Sequence, residues 1–345
     1  MHKKRLGALA AIALLLGSVM PGFAQAQKTP QAFQDHLKTL QPKGFPSEPL
    51  ELVVVYPAGG GMDLAARILA KYVEKWSGHR VIVTNKVGGG GLVGHTYLVS
   101  QAPKDGHTIG IVANFWSDGW LRAEGKFDYK SLEPLAFINW DPVTWIVRSD
   151  GPYKDMDLKA LAAVIKAKPG ELKVGIVPGL SSEFLPEQVA KSVGSSLILV
   201  PFQGGTPSIT ALVGGHIDIS FGFFSEYRGH FEAGKVKMIG VASLERASAF
   251  PDVPTFNEAL GTKDISWMAW RYAALPLGVA ADRKAWLEAV FNAAIQDPGL
   301  AEEYKKIGSL MDTARLNSAA AVKAEVEKFA TLEYEFFKTT GRLKK

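Results

Sequence analysis

Residues 52–76 read LVVVYPAGGGMDLAARILAKYVEKW, and their pattern decides the fold class. Leu52 to Tyr56 is a continuous apolar run rich in β-branched residues, which suits a strand buried on both faces. Pro57 and three successive glycines then force a tight turn. Beyond it Leu64, Ile68, Leu69, Tyr72, Val73 and Trp76 recur at the spacing of one helix face. Strand, glycine turn, helix is the repeating unit of a parallel sheet with crossover helices.

The same rhythm extends outward. Val81–Thr84 predicts a strand, a Gly88–Gly91 turn follows, then a helix to about Ser100 and a strand over 108–113. A second series follows the strand-like stretch 144–148. It has a helix over 158–167, a strand over 172–177, a turn and helix, a strand over 197–201 and a helix over 207–213, then strands over 217–221 and 236–242. A strand near 272–275 and helices close the chain, the last starting at Ser318 and ending at Gly341. Pro186 predicts a late start for the helix after Pro178. The reading is an α/β protein of two similar lobes with a ligand cleft between them, joined by hinge strands near 145–150 and 238–243. The divisions are a leader at 1–26, an extension at 27–47, lobe 1 at 48–148, lobe 2 at 149–239 and lobe 1 again at 240–345. Phe33, Leu37 and Leu40 allow a short amphipathic helix in the extension, and a loosely held segment fits equally well.

Lys3, Lys4 and Arg5, an apolar run over 6–19 and Ala24-Gln25-Ala26 form a secretory leader, with cleavage expected after Ala26 and a periplasmic destination. The chain has 39 basic and 34 acidic residues; three of the basic ones lie in this leader, so the remainder is near neutral and carries no nucleic-acid signal. Hydrophobic residues make up 47%, enough for two cores. With no cysteine, disulfides, thiolate metal sites and cysteine nucleophiles are excluded. No metal-ligand spacing occurs among the seven histidines, and no cofactor is expected.

Four turns share the strand–glycine–helix plan: Tyr56 to Asp63, Gly88 to Gly94, Pro178 to Ser182 and Gln203 to Pro207. Glycines let successive N–H groups converge, and a helix start adds unpaired N–H groups and partial positive charge, so together they form an anion site. Any one turn is equally explained by tight strand–helix packing; several at equivalent points of two lobes favour anion binding. Asp63 and Glu183 would repel an anion and are read as helix-start residues with their charges turned away. Gly89 to Gly94 matches a dinucleotide fingerprint formally, but the next strand ends in Asn114 where an acid is expected. A hydrolase using Ser181 or Ser182 is the enzymatic alternative, and Gly179-Leu180-Ser181-Ser182-Glu183 lacks the second glycine of a nucleophile elbow. Arg271 can meet a second carboxylate, though a lone arginine ordinarily serves a surface salt bridge.

The runs VYPAGGGMDLAARILA, NKVGGGGLVG, APKDGHT, KAKPGELKVG, VPFQGGTPSITALVGGHID and AFPDVPTFNEA, in this order, resemble the tripartite tricarboxylate transporter receptors, the Bug or TctC family, over residues 48–340. The resemblance implies a type II periplasmic-binding fold and a non-enzymatic, monomeric receptor that hands its ligand to a membrane permease; a receptor signalling to a sensor kinase is the alternative. It implies one ligand carboxylate held by Tyr56, Ala58, Gly59, Gly60, Gly61 and Met62 of lobe 1 and by Gly179, Ser181 and Ser182 of lobe 2. Met62 stands where threonine is usual, Phe184 where histidine is common and Gly222 where aspartate is common. Asn114, Phe115, Trp116, Phe202, Gln203 and Thr206 are expected to surround the rest of the ligand, which favours an aromatic acid or a dicarboxylate with an apolar middle over citrate.

Overall fold

The computed structural model describes residues 30–121, 126–247, 250–309, 311 and 317–343. The leader and its cleavage point lie outside these residues. Lobe 1 begins with α1 (Pro30–Leu40), β1 (Leu50–Val54), α2 (Gly61–Ser77), β2 (Val81–Asn85), α3 (Leu92–Ser100), β3 (Thr108–Val112), α4 (Phe115–Leu121) and β4 (Leu132–Pro142). Lobe 2 holds β5 (Thr144–Arg148), α5 (Leu158–Ala167), β6 (Lys173–Ile176), α6 (Ser181–Ser192), β7 (Ile198–Pro201), α7 (Gly205–Val213), β8 (Ser220–Gly222), α8 (Phe224–Glu232), β9 (Val236–Val241) and α9 (Phe256–Leu260). The chain returns to lobe 1 for β10 (Met268–Pro276), α10 (Ala281–Ile295), α11 (Pro298–Lys306) and α12 (Ala319–Thr339).

The lobe 1 sheet runs β2-β1-β3-β10-β4. β2, β1 and β3 are parallel, and β10 lies antiparallel between β3 and β4. In lobe 2, β5 lies antiparallel between β8 and β9, and the parallel pair β6–β7 joins β8 through a bridge between Val174 and Ile219. Each lobe therefore has the same order: second, first, third, an antiparallel newcomer, fourth. In each, the newcomer is the strand that has just crossed from the other lobe. The apolar run of β1 is covered on both faces, with Leu50, Leu52, Val53 and Val54 fully buried, as a parallel strand between helix layers requires.

The crossings differ from the expected hinges. The first is at Val143 and the second at Trp267, and the two meet Ala242: Val143 N donates to Trp267 O (3.0 Å), Ala242 N to Val143 O (2.8 Å) and Trp267 N to Ala242 O (2.8 Å). Residues 240–266, expected with lobe 1, pack on lobe 2 instead. Thr255 caps α9 and aims Phe256 at the Trp145 ring (5.1 Å between centroids), where Phe256 and Ile265 complete the lobe 2 core. The extension is docked: Leu37 and Phe45 are buried, and Phe33 sits edge-on to Trp76. α6 starts at Ser181, earlier than Pro186 suggested. The proline lies inside the helix with its ring buried, and forgoes its own N–H bond.

Candidate functional site

The carboxyl ends of β1, β3 and β6 face a cavity between the lobes, partly open to solvent. This is where open α/β sheets bind ligands. Of the expected residues, Tyr56, Gly60, Gly61, Met62, Asn114, Gly179, Ser181 and Thr206 line it. Its apolar wall is Met62, Val177, Leu180, Phe184, Phe221, Phe223 and Met268.

Two loops, one per lobe, are built alike. In lobe 1, Gly59 N donates to Asp63 Oδ2 (2.9 Å), and Asp63 also accepts from Arg67 (2.9 Å) and Asn85 (3.0 Å). Burial pushes the Asp63 carboxyl up, but these hydrogen bonds outweigh it and hold it below the usual carboxylate range. In lobe 2, Gly179 N donates to Glu183 Oε2 (2.6 Å). Each acid thus turns back onto its own loop and shapes it, leaving the next helix residues directed at the cavity. The first turn of α6 leaves Ser181 and Ser182 N–H groups without intrahelical acceptors.

Several expected contacts lie elsewhere. Ala58 and Gly59 are exposed on the outer side of their turn. Phe115 is fully buried in the lobe 1 core against Trp116 and Phe127, because α4 begins there and turns that ring inward. Ser182 Oγ accepts from Val177 N (2.9 Å), which closes the turn rather than serving a ligand or a nucleophile. Phe202 packs in the second apolar cluster of lobe 2. Gln203 crosses between lobes and accepts from Gly90 N (3.0 Å). The Gly88–Gly94 turn does not line the cavity; Gly94 instead lets α3 approach Val55 so closely that a Cβ would overlap it.

Three charged residues in the wall were missed or set aside. Arg271, read as a surface arginine, is 1% exposed. Its guanidinium pairs with buried Asp141 and stacks over Phe223 (4.7 Å). Glu226 of lobe 2 accepts from Gly61 N, at the start of lobe 1's α2, and from Phe223 N, both at 3.0 Å. A Cβ on Gly205 would overlap its carboxylate, so the glycines that were read as a ligand's anion seat admit this side chain. Burial pushes the Glu226 carboxyl up against the opposing pull of those N–H groups and Arg271. Glu333 of α12 accepts from Asn114, from Trp116 Nε1 (2.8 Å) and from Ser117 Oγ (2.8 Å), and burial pushes its carboxyl up to about 7. Its position was legible: Val322, Val326, Phe329 and Phe336 mark the apolar stripe of that helix, and Glu333 falls on it. Glu226 gave no such signal, because its helix is capped from Phe223 rather than from a polar residue.

Among the described residues no histidine lines the cavity. Glu48, Asp105 and His107 cluster elsewhere, but Ser47 N donates to His107 Nε2 (3.1 Å). The proton of the neutral ring is then on Nδ1, facing Asp105 at 3.3 Å, which leaves no nitrogen lone pair for a metal.

Residues 65–330 match the family described as tripartite tricarboxylate transporter family receptor. A protein of Pseudomonas sp. (strain P51), encoded in the tcbD-tcbE intergenic region, is 30% identical over 325 residues, covering 92% of this chain and 94% of that one. Protein BugT of Bordetella pertussis is 27% identical over 268 residues, covering 77% and 82%. Among solved structures, the periplasmic binding protein BugD superposes with a TM-score of 0.80 at 28% identity, over 87% of this chain and 100% of that one. MatC from Rhodopseudomonas palustris with bound malate gives 0.75 at 25% identity, over 83% and 98%.

Proposed function

Because the chain belongs to the family of tripartite tricarboxylate transporter receptors, we propose that it captures a small organic carboxylate outside the cytoplasm and, by lobe closure, delivers it as a monomer to a membrane permease. The observation that carries this reading is the pair of mirrored loops that bring the start of α2 from lobe 1 and the start of α6 from lobe 2 to one cavity. Unpaired helix-start N–H groups favour an anion without a formal cation. Malate bound to MatC, a relative of the same fold, supports a carboxylate. The N–H contacts in this reading are Met62 on one side and Ser181 and Ser182 on the other, because Gly60, Gly61 and Gly179 already donate to Pro57, Glu226 and Glu183; Tyr56, Asn114 and Thr206 lie around the body of the ligand.

The wall of Met62, Phe184, Phe221, Phe223 and Met268 favours an apolar body, an aromatic acid or a diacid with an apolar middle. Burying such a body contributes about 1.5–3 kcal/mol by area. A small, highly hydrated acid such as citrate gains little there. Calorimetry and thermal shift with benzoate-type acids, adipate-like diacids and citrate test the reading: aromatic or long acids should bind and raise the unfolding midpoint, and Ser181→Ala should weaken them. Tight citrate binding with no response to the others overturns the ligand shape, and no response to any acid overturns the receptor reading.

A further inference from the structure

The charged side chains in the cavity wall are Glu226, Arg271 and Glu333 among the described residues. Arg271 already pairs with Asp141 and flanks Glu226, whose carboxyl burial pushes up, so the guanidinium is not free to serve Glu333. Glu333 stands differently. Each of its hydrogen-bond partners is neutral: Asn114, Trp116 and Ser117, all on the turn and first helical residues after β3. Trp116 and Ser117 both donate to Oε2, and Asn114 alone donates to Oε1. Each carboxylate oxygen has two lone-pair directions, so Oε1 retains one acceptor site, on a side chain that lines the cavity. Three oriented donors hold the carboxylate rigidly in one pose, as a binding group requires. A second, independent feature of the same cavity also calls for a ligand. Arg271, almost wholly buried in the wall, has no partner for Nε, and Thr206 Oγ1 has none either.

We propose that Glu333 is a specificity-determining ligand contact that selects a carboxylate whose far end carries a protonated amine or amidine over one that carries a second carboxylate. The inference rests on the reading of this cavity as a carboxylate receptor and names the chemistry of the ligand's other end. A second carboxylate in this cavity meets the carboxylate of Glu333, and like charges in a desolvated site are costly. An ammonium supplies the cation that Glu333 lacks, in a charge-assisted hydrogen bond. It also shifts the choice left open above, away from the diacid and toward an amino acid with a long or aromatic spacer.

The test is calorimetry at pH 6 and pH 8 with three matched series: ω-amino acids, diacids and simple monoacids of four to eight carbons, together with 4-(aminomethyl)benzoate, terephthalate and benzoate. The ω-amino acids, the monoacids and the aromatic ligands keep their charges over that range, whereas aliphatic diacids begin to take up a proton near pH 6, so terephthalate is the diacid whose pH trend reports the protein. The groups facing Glu333 are the Tyr272 hydroxyl from β10, which burial keeps protonated, and, elsewhere in the wall, Glu226 and the Arg271–Asp141 pair. The amine-bearing ligand should bind at least tenfold tighter than its diacid at pH 8. It should weaken toward pH 6, where Glu333 takes up a proton, while the diacid strengthens. Glu333→Gln should abolish the amine preference; the wild-type pH profile carries the test without any variant. A diacid that binds as tightly as its amine partner, or an amine preference that survives Glu333→Gln, overturns the proposal while leaving the receptor reading intact if monoacids bind. If none of the compounds binds, both fall.

Discussion

Glu333 of α12 presents its carboxyl to three neutral donors at the end of β3. Its place on the apolar stripe of α12, between Phe329 and Phe336, marks it as a charge directed inward. What no pattern reveals is that Asn114, Trp116 and Ser117, more than two hundred residues earlier, supply its donors. The same holds for Arg271, whose Asp141 partner lies on a neighbouring strand that only the sheet order brings alongside. The buried carboxyl has a measurable signature. Its affinity for a proton is raised to about 7 in the folded protein from the ordinary carboxylate range in the unfolded chain. The folded state therefore binds the proton more tightly, and stability falls as pH rises through that window. Urea unfolding should show the wild type losing up to about 3 kcal/mol relative to Glu333→Gln between pH 4.5 and pH 8. A stability difference that does not change with pH would mean that the carboxylate is solvated.

Sequence period and observed element bounds agree where the period is strong. The helix over 158–167 and the strand over 144–148 have the observed bounds, because each is an uninterrupted periodic or apolar segment closed by Lys168-Pro169-Gly170 or preceded by Asp141-Pro142. Ser318 caps α12 as expected, accepting from Ala321 N. The errors fell where a local signal competes with packing. Phe115 follows a strand end, where ligand contacts are common, yet it begins a helix that turns it into the core. The mirrored acids at the starts of α2 and α6 are the element-scale device of the site. Asp63 fixes the Gly59 turn, the α2 start and Asn85 at once. Asp63→Ala should cost roughly 1.5–3 kcal/mol, the range for hydrogen bonds to a charged group. It should also weaken ligand binding by loosening the loop, which denaturant titration and calorimetry on one preparation would show. Since the Asp63 carboxyl lies below its ordinary range, its stabilisation is present near neutrality and is lost as pH falls through and below that range. The wild type and Asp63→Ala should therefore converge in acid.

For the whole molecule, the decisive feature is that lobe 2 is one unbroken segment while lobe 1 is made from both ends of the chain. Val143, Ala242 and Trp267 knit the crossings into a narrow backbone waist. Bending there exchanges the contacts across the cleft, such as Glu226 with Gly61 and Gln203 with Gly90, so ligand capture should appear in small-angle scattering as a smaller radius without loss of secondary structure. An unchanged radius at saturation would reject closure as the mode of capture. The waist also separates two assembly problems. A chain ending at residue 266 keeps every strand of lobe 2 but lacks β10, so β3 keeps β1 and loses its other neighbour, and β4 is left without the strand it pairs with. Limited proteolysis of that fragment should spare 144–266 and digest the lobe 1 residues; protection of both would show that the two half-sheets close without β10. A chain made from its N-terminus meets the same condition in time. Its first lobe waits as two strand sets with open edges until all of the second has been synthesised, and during that interval the growing chain is at its most exposed to mispairing and in greatest need of a chaperone.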